Sequence, residues 1–364
     1  MEQSEKTRKL LIACFQRYPQ SEIRDLFKFL HQSAFGCEHL VSSLEAAKKS
    51  IQSESETMRS GQKRSIEPLD GDYSRVPLCC CERGLSADTL AKLLIASAKK
   101  PKKNLSDLLQ KMEVARQLVA EGALPFSPKE FEDAAAAWGA EGYPAVHHSQ
   151  RFRENYQPSY RVIANEYLPF LPLFAEIDRR AERERLIVAV EGGSASGKTT
   201  LSALLSKIYD CTVFHMDDFF LQAQQRIPER YAQVGGNVDR ERFLEEVLQP
   251  SAKGQPVSYR KFDCSSMSLG EKIEVEPKKL IIAEGAYSLH PELEPYYDFS
   301  VFLKVSPELQ KQRIQKRNSP ELAKRFFEEW IPLEEIYFTQ TKIEERCDLI
   351  IPICEDKDSS DYLS

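Results

Sequence analysis

The sequence predicts an α/β fold for its second half, a parallel sheet with helices on both faces, preceded by a mainly α-helical first half. Three observations carry this. After Arg185, short apolar β-rich runs recur at 186–190, 211–214, 280–283, 299–303 and 348–351, with helical stretches between most of them. A glycine-rich loop follows the first run directly. Before residue 150, apolar residues fall instead at helical spacing.

The helical segments of the first half lie near 22–53, 86–99, 105–121 and 128–138. Ser86, Ser106 and Ser127 stand where N-caps are expected, and Pro101, Gly122 and Gly139 mark ends. The polar stretch 52–64 is expected to be an exposed connection. Residues 158–182 are interrupted by Pro158, Pro169 and Pro172, and a charged run, 178–185, leads into the second half. The organisation expected is a helical domain over 1–157, a linker or bridging helix over 158–185, and an α/β domain over 186–364.

The second half contains the pattern that binds phosphate. Gly192, Gly193, Ser194, Ala195, Ser196, Gly197, Lys198 and Thr199 read G-x-x-x-x-G-K-[ST] between an apolar strand and a helical run, with Thr200 next. The glycines let backbone N–H groups curl around phosphate oxygens, and the helix N-terminus adds partial positive charge. Lys198 supplies a point charge for the outer phosphates, and the Thr199 hydroxyl is placed to ligate Mg²⁺. The fold implied is that of a P-loop NTPase, with ATP and Mg²⁺ as cofactors.

Two acids end strands on the ligand side of such a sheet. Asp217, after the run 211–214, could orient or deprotonate an attacking hydroxyl; the competing reading is a helix-capping or metal-water carboxylate. Glu284 ends the run 280–283 and is the candidate metal-water acid, with Gly285 allowing close backbone approach. No NKxD motif for guanine and no LSGGQ signature is present.

The order GGSASGKTT, MDDFF, YRKFD, IIAEGAY and an Arg-bearing helix resembles the uridine kinase and phosphoribulokinase family, a group that includes pantothenate kinase. The likeness covers roughly residues 186–353. It implies that Asp217 is the catalytic Asp, that Asp239 binds sugar hydroxyls, and that Tyr259, in a hairpin over 257–262, lies near the acceptor. It also implies that Arg313 and Arg317 are lid arginines that clamp phosphates. Tyr259 as packing and Arg317 as a surface charge are the plainer alternatives. Departures are visible: Asp218 stands where a small residue is usual, no His follows Tyr259, and Phe326 to Pro332 replace a Gly-rich lid turn. In the first half, the stretches 34–40 and 156–162 are similar to the leading domain of bacterial uridine-kinase-like proteins, a domain with no known activity.

Composition narrows the rest. A net charge of −6 gives no electrostatic reason to expect nucleic acid as a partner. No apolar run reaches membrane-spanning length, and the first residues carry no signal-peptide pattern. Nine cysteines with no CxxC pair, three of them adjacent at Cys79, Cys80 and Cys81, fit reduced thiols and a cytoplasmic location. Cys37, His39 and the Cys79–Cys81 run match no standard zinc spacing. The expected function is an ATP-dependent kinase for a small-molecule alcohol, a nucleoside first and pantothenate or glycerate as alternatives. The rival is a nucleotide-gated sensor without kinase activity. Oligomeric state is left open, a homo-oligomer included.

Overall fold

The computed structural model describes residues 2–37, 43–57, 64–99 and 105–354. The chain divides into two compact units, with the boundary between Asp178 and Arg179.

The first unit is built mainly of helices, the longest being Glu2–Arg17 and Leu105–Ala120. Ser86 and Ser127 cap as expected: their hydroxyls accept the N–H groups of Thr89 and Glu130. Ser106 does not, because its helix already begins at Leu105. The first predicted segment is two helices, Ile23–Phe35 and Leu44–Thr57, and the second runs through the start of the expected 52–64 connection. The remainder of that connection, 58–63, lies outside the described residues, as does His39.

A small antiparallel sheet, absent from the sequence reading, completes this unit. Its order is β1 (Glu67–Pro68), β2 (Tyr73–Pro77), β3 (Tyr160–Ala164). Residues 158–178, expected as a bridge, are therefore built into the first unit. Tyr73 pairs with Ala164 and Pro77 with Tyr160, while Tyr167, Leu168 and Phe174 are buried beyond the strand. Burial of such side chains stabilises by roughly 1.5–3 kcal/mol each, which holds a proline-interrupted stretch in place.

The second unit carries the five predicted strands: β4 (Leu186–Gly192), β5 (Cys211–His215), β8 (Leu280–Glu284), β9 (Phe299–Val305) and β10 (Leu349–Ile353). They form one parallel sheet in the order β10-β9-β4-β8-β5. The residues of β4 and β8 are buried throughout, whereas edge strands β5 and β10 are partly open. Between β5 and β8 the chain forms the expected hairpin, β6 (Val257–Asp263) paired with β7 (Ser268–Val275). A core of Ile187, Phe214, Phe219, Phe243, Ile281 and Tyr337, among others, packs beside the sheet. Residues 326–332 contain a π-helical turn, Phe326–Trp330, joining helices Pro320–Arg325 and Ile331–Thr341. Among the described residues no helix is long and apolar enough to cross a membrane.

Candidate active site

Sheet register assembles the site. Central strand β4 ends at Gly192, and its Val190 pairs with Glu284 of β8, which pairs in turn with His215 of β5. The ligand-side ends of three adjacent strands therefore meet. Gly197 takes a left-handed φ of 104° and starts the helix Lys198–Ile208, so the loop closes onto a helix N-terminus. Gly285 is equally constrained. With φ at 151°, an added Cβ would lie 2.4 Å from the Met216 Cβ, so only glycine lets the β8 end pass the segment after β5.

Lys198 folds back across the loop and donates from Nζ to the Gly192 and Gly193 carbonyls, at 2.8 and 2.9 Å. Thr199 Oγ1 donates to Glu284 Oε1 at 3.1 Å. A hydroxyl and a carboxylate meeting at the head of the loop helix are hard oxygen donors of the kind Mg²⁺ takes. Two protein ligands, with nucleotide phosphates and water completing the shell, is how that ion usually binds. The geometry fits Mg-nucleotide. No cluster of three or more His, Cys, Asp or Glu side chains suited to a metal occurs among the described residues. In the first unit, Cys37 and Cys79 instead donate to the Leu94 and Arg64 carbonyls.

Asp217 lies just beyond β5 with its side chain exposed. Its carboxyl is nevertheless pushed above the usual range, first by desolvation, with Glu284 and Asp218 adding to the rise and Lys198 opposing it. Because Asp217 itself is open, the desolvation comes from the protein massed around the cleft rather than from occlusion of the carboxyl. Its neighbour Asp218 points elsewhere, into an ion pair with Lys261 at 3.0 Å.

Asp239 is buried and joined to this segment. Its N–H bonds the Phe219 carbonyl at 2.8 Å, and its carboxylate accepts from the Arg242 backbone and Nε, each at 3.3 Å. Tyr259 is also buried, its ring stacked on Phe219 at 5.5 Å, with Asp218 and Lys261 acting on its phenol. Packing is thus part of its role. Arg313 donates to the Ala195 and Ser196 carbonyls at 3.1 and 3.4 Å and rests on the loop. Arg317, at the end of the same helix, is exposed and shows no bond to the loop.

Three site residues escaped the sequence reading. Glu191, fully buried, accepts four hydrogen bonds: from the Gly192 and Tyr287 amides on one oxygen, and the Leu289 amide and Tyr337 hydroxyl on the other. Burial pushes its pKa up to about 7 against those donors. His215 Nδ1 lies 2.5 Å from Glu284 Oε1, and this bond raises the imidazole pKa. Glu334 reaches from the helix Ile331–Thr341 to Ser194, accepting its N–H at 2.8 Å and its hydroxyl at 2.7 Å. The one sequence signal was a charged residue closing a buried strand, at Glu191.

A uridine kinase from Streptococcus uberis is 27% identical over 150 residues, 38% of this chain and 70% of its own length. Among solved structures, a possible uridine kinase from Bacillus stearothermophilus is 21% identical, covering 46% of this chain and 89% of its own, with a TM-score of 0.36. A shikimate kinase from Bacteroides thetaiotaomicron is 17% identical, covering 45% and 84%, with a TM-score of 0.23. No family model matches the chain. With the loop motif and the parallel sheet behind it in agreement, the second unit has the fold of a P-loop kinase and is similar in sequence to a uridine kinase.

Proposed function

We propose that the second unit transfers the γ-phosphoryl group of Mg-ATP to a hydroxyl of a small alcohol, a nucleoside being the acceptor that fits best. The observation that carries this is Asp217: an exposed carboxylate at a strand's ligand end, within electrostatic reach of both Lys198 and Glu284. Bound Mg-ATP supplies the phosphoryl group and the neutralising cation. The chain's residues position and stabilise. The loop amides and Lys198 hold phosphate oxygens, and Thr199 with Glu284 holds the metal shell. Asp217 accepts the hydroxyl proton as the new O–P bond forms and the bond to the ADP oxygen breaks.

Buried Asp239, oriented by Arg242, supports a sugar-like acceptor, since a fixed carboxylate accepts hydrogen bonds from vicinal hydroxyls. The S. uberis relative, named for uridine, makes uridine the first acceptor to try. The absence of a His after Tyr259 keeps pantothenate and glycerate in the comparison.

The test is product analysis. The protein is incubated with Mg-ATP and separately with uridine, cytidine, pantothenate and glycerate, and phosphorylated products are read by phosphorus NMR. A new phosphomonoester signal with a nucleoside supports the reading. A product only with pantothenate or glycerate moves the acceptor, and ATP binding with no product from any alcohol favours the sensor.

A further inference from the structure

Within the first unit lies a cavity of about 410 Å³, lined by helix, β2 and β3 residues. Its charge is lopsided. Arg17 and Arg75 both face one carboxylate, Glu67, and Arg64, which donates to the Tyr156 carbonyl at 2.9 Å, also lines the wall. Glu67 is already shared: it pairs with Arg17 at 3.6 Å and Arg75 at 3.5 Å, and accepts the Tyr18 hydroxyl. One carboxylate shared by two guanidinium groups leaves the Arg17–Glu67–Arg75 cluster net positive.

Arg75 is the telling group. It is buried, and its guanidinium is fixed by the Gln32 side chain at 2.9 Å and by stacking 4.8 Å from the Tyr160 ring centre. Its Nη2 has no hydrogen-bond partner among the described residues. A buried guanidinium N–H left unpaired costs stability, the more so on a charged group, unless something else accepts it. Tyr160 is held in turn by a chain of bonds, its hydroxyl to His148 Nε2 at 2.7 Å and His148 Nδ1 to Asp25 at 2.7 Å. Arg75 is therefore held in place before any ligand arrives, which lowers the entropy cost of binding.

The remaining wall is aromatic. Tyr18, Phe152 and Tyr156 form a mutually packed cluster with ring centres 4.9–5.2 Å apart. The Tyr18 hydroxyl is engaged by Glu67, and the Tyr156 hydroxyl accepts the Gln20 N–H at 2.8 Å. With their polar ends occupied, the part-exposed rings of Tyr18 and Tyr156 offer faces and edges, which suit a planar apolar body, and buried Phe152, stacked on His148 at 4.0 Å, backs them.

We propose that this cavity binds a small organic anion, a phosphate or carboxylate carried on a planar ring, with the anion at Arg75 and Arg17 and the ring against the aromatic wall. It shares no residue with the P-loop and stands whether or not the second unit transfers phosphate.

The experiment is calorimetric titration of the full chain with phenyl phosphate, benzoate and inorganic phosphate. Lys198→Ala serves as the background that removes binding at the P-loop. Arg17→Glu is the main variant, because that side chain is half exposed and its change leaves the fold intact; Arg75→Gln is second, checked by circular dichroism. Phenyl phosphate or benzoate should bind saturably in the Lys198→Ala background, more tightly than inorganic phosphate, and Arg17→Glu should weaken it roughly ten-fold or more. Binding that disappears with Lys198→Ala, binding indifferent to Arg17→Glu, or no saturable binding by either ring-bearing probe would each overturn the proposal.

Discussion

Thr199 Oγ1 and Glu284 Oε1 stand 3.1 Å apart, although they come from the head of the loop helix and the end of β8. Sheet pairing explains the meeting. Val190 and Glu284 are register partners, and the chain needs only the loop to travel from β4 to Thr199. If this pair holds the metal shell, Glu284→Gln should raise the Mg²⁺ concentration needed for half-maximal activity by about ten-fold or more while leaving the fold intact. Thr199→Val should act in the same direction. A magnesium requirement identical to the wild type in both variants would remove them from the metal site.

Adjacent acids Asp217 and Asp218 make a sharp comparison. Asp218 is spent on Lys261, whereas Asp217 is exposed. Asp217→Asn should cut the chemical rate by roughly two to four orders of magnitude, the range of a positioned base, with nucleotide affinity little changed. Asp218→Asn should cost far less. Single-turnover kinetics on both variants decides, and the reverse ranking would show that the base is the other carboxylate.

Glu191 sets a pH dependence of stability. Its folded pKa, about 7, lies above the ordinary carboxylate value. The sign follows from linkage: its protonated form is favoured in the fold, so its contribution is complete below about pH 4.5 and is lost as pH rises through about 7. The loss is on the order of a few kcal/mol. Glu191→Gln cannot ionise and should show no such fall. Its amide N–H₂ must also face one of the backbone N–H donors, which should lower stability at pH 5 by roughly 1–3 kcal/mol. Urea melts of both proteins at pH 5 and pH 8 provide the check. A wild-type-minus-variant difference that stays constant between the two would mean that Glu191 does not titrate in this window.

A shorter chain beginning at Arg179 should fold alone. The clustered contacts divide there, and the apolar residues Tyr167, Leu168, Phe170, Leu171 and Phe174 all belong to the first unit. Arg180 stacks 4.4 Å from the Phe299 ring centre and Arg183 pairs with Asp298 at 2.5 Å, so the first residues of the shorter chain have partners within it. Its thermal midpoint should rise with Mg-ATP. Aggregation without a cooperative transition would mean that the two units depend on a common core.

The sheet of the second unit was legible because its central strands are continuous apolar runs, and the loop because few residue patterns bend backbone amides around phosphate. The small sheet of the first unit was not. Strand β2 contains Ser74 and Arg75, polar residues that are buried only because Asn165 and Gln32 meet them. No local pattern announces partners so distant in sequence. Strand β3 reads as part of a bridge because prolines surround it, yet its pairing with β2 and the buried residues after it outweigh them. Glu191 was missed for a related reason: its donors Tyr287, Leu289 and Tyr337 are about a hundred residues or more away. Such a carboxylate is readable only once the sheet has been assembled.

The most direct test of phosphoryl transfer compares ADP formation from Mg-ATP, with and without uridine, in the wild type and in Lys198→Ala. Lys198 is part-buried and bonds only two loop carbonyls, so its loss should cost about 1–2 kcal/mol of stability and leave a folded protein. The wild type should release ADP faster when uridine or another nucleoside is present, one ADP for each phosphorylated nucleoside, and Lys198→Ala should release none above background. Acceptor-dependent ADP release that survives in a folded Lys198→Ala protein would contradict the account, as would a wild type that binds Mg-ATP yet transfers to no alcohol.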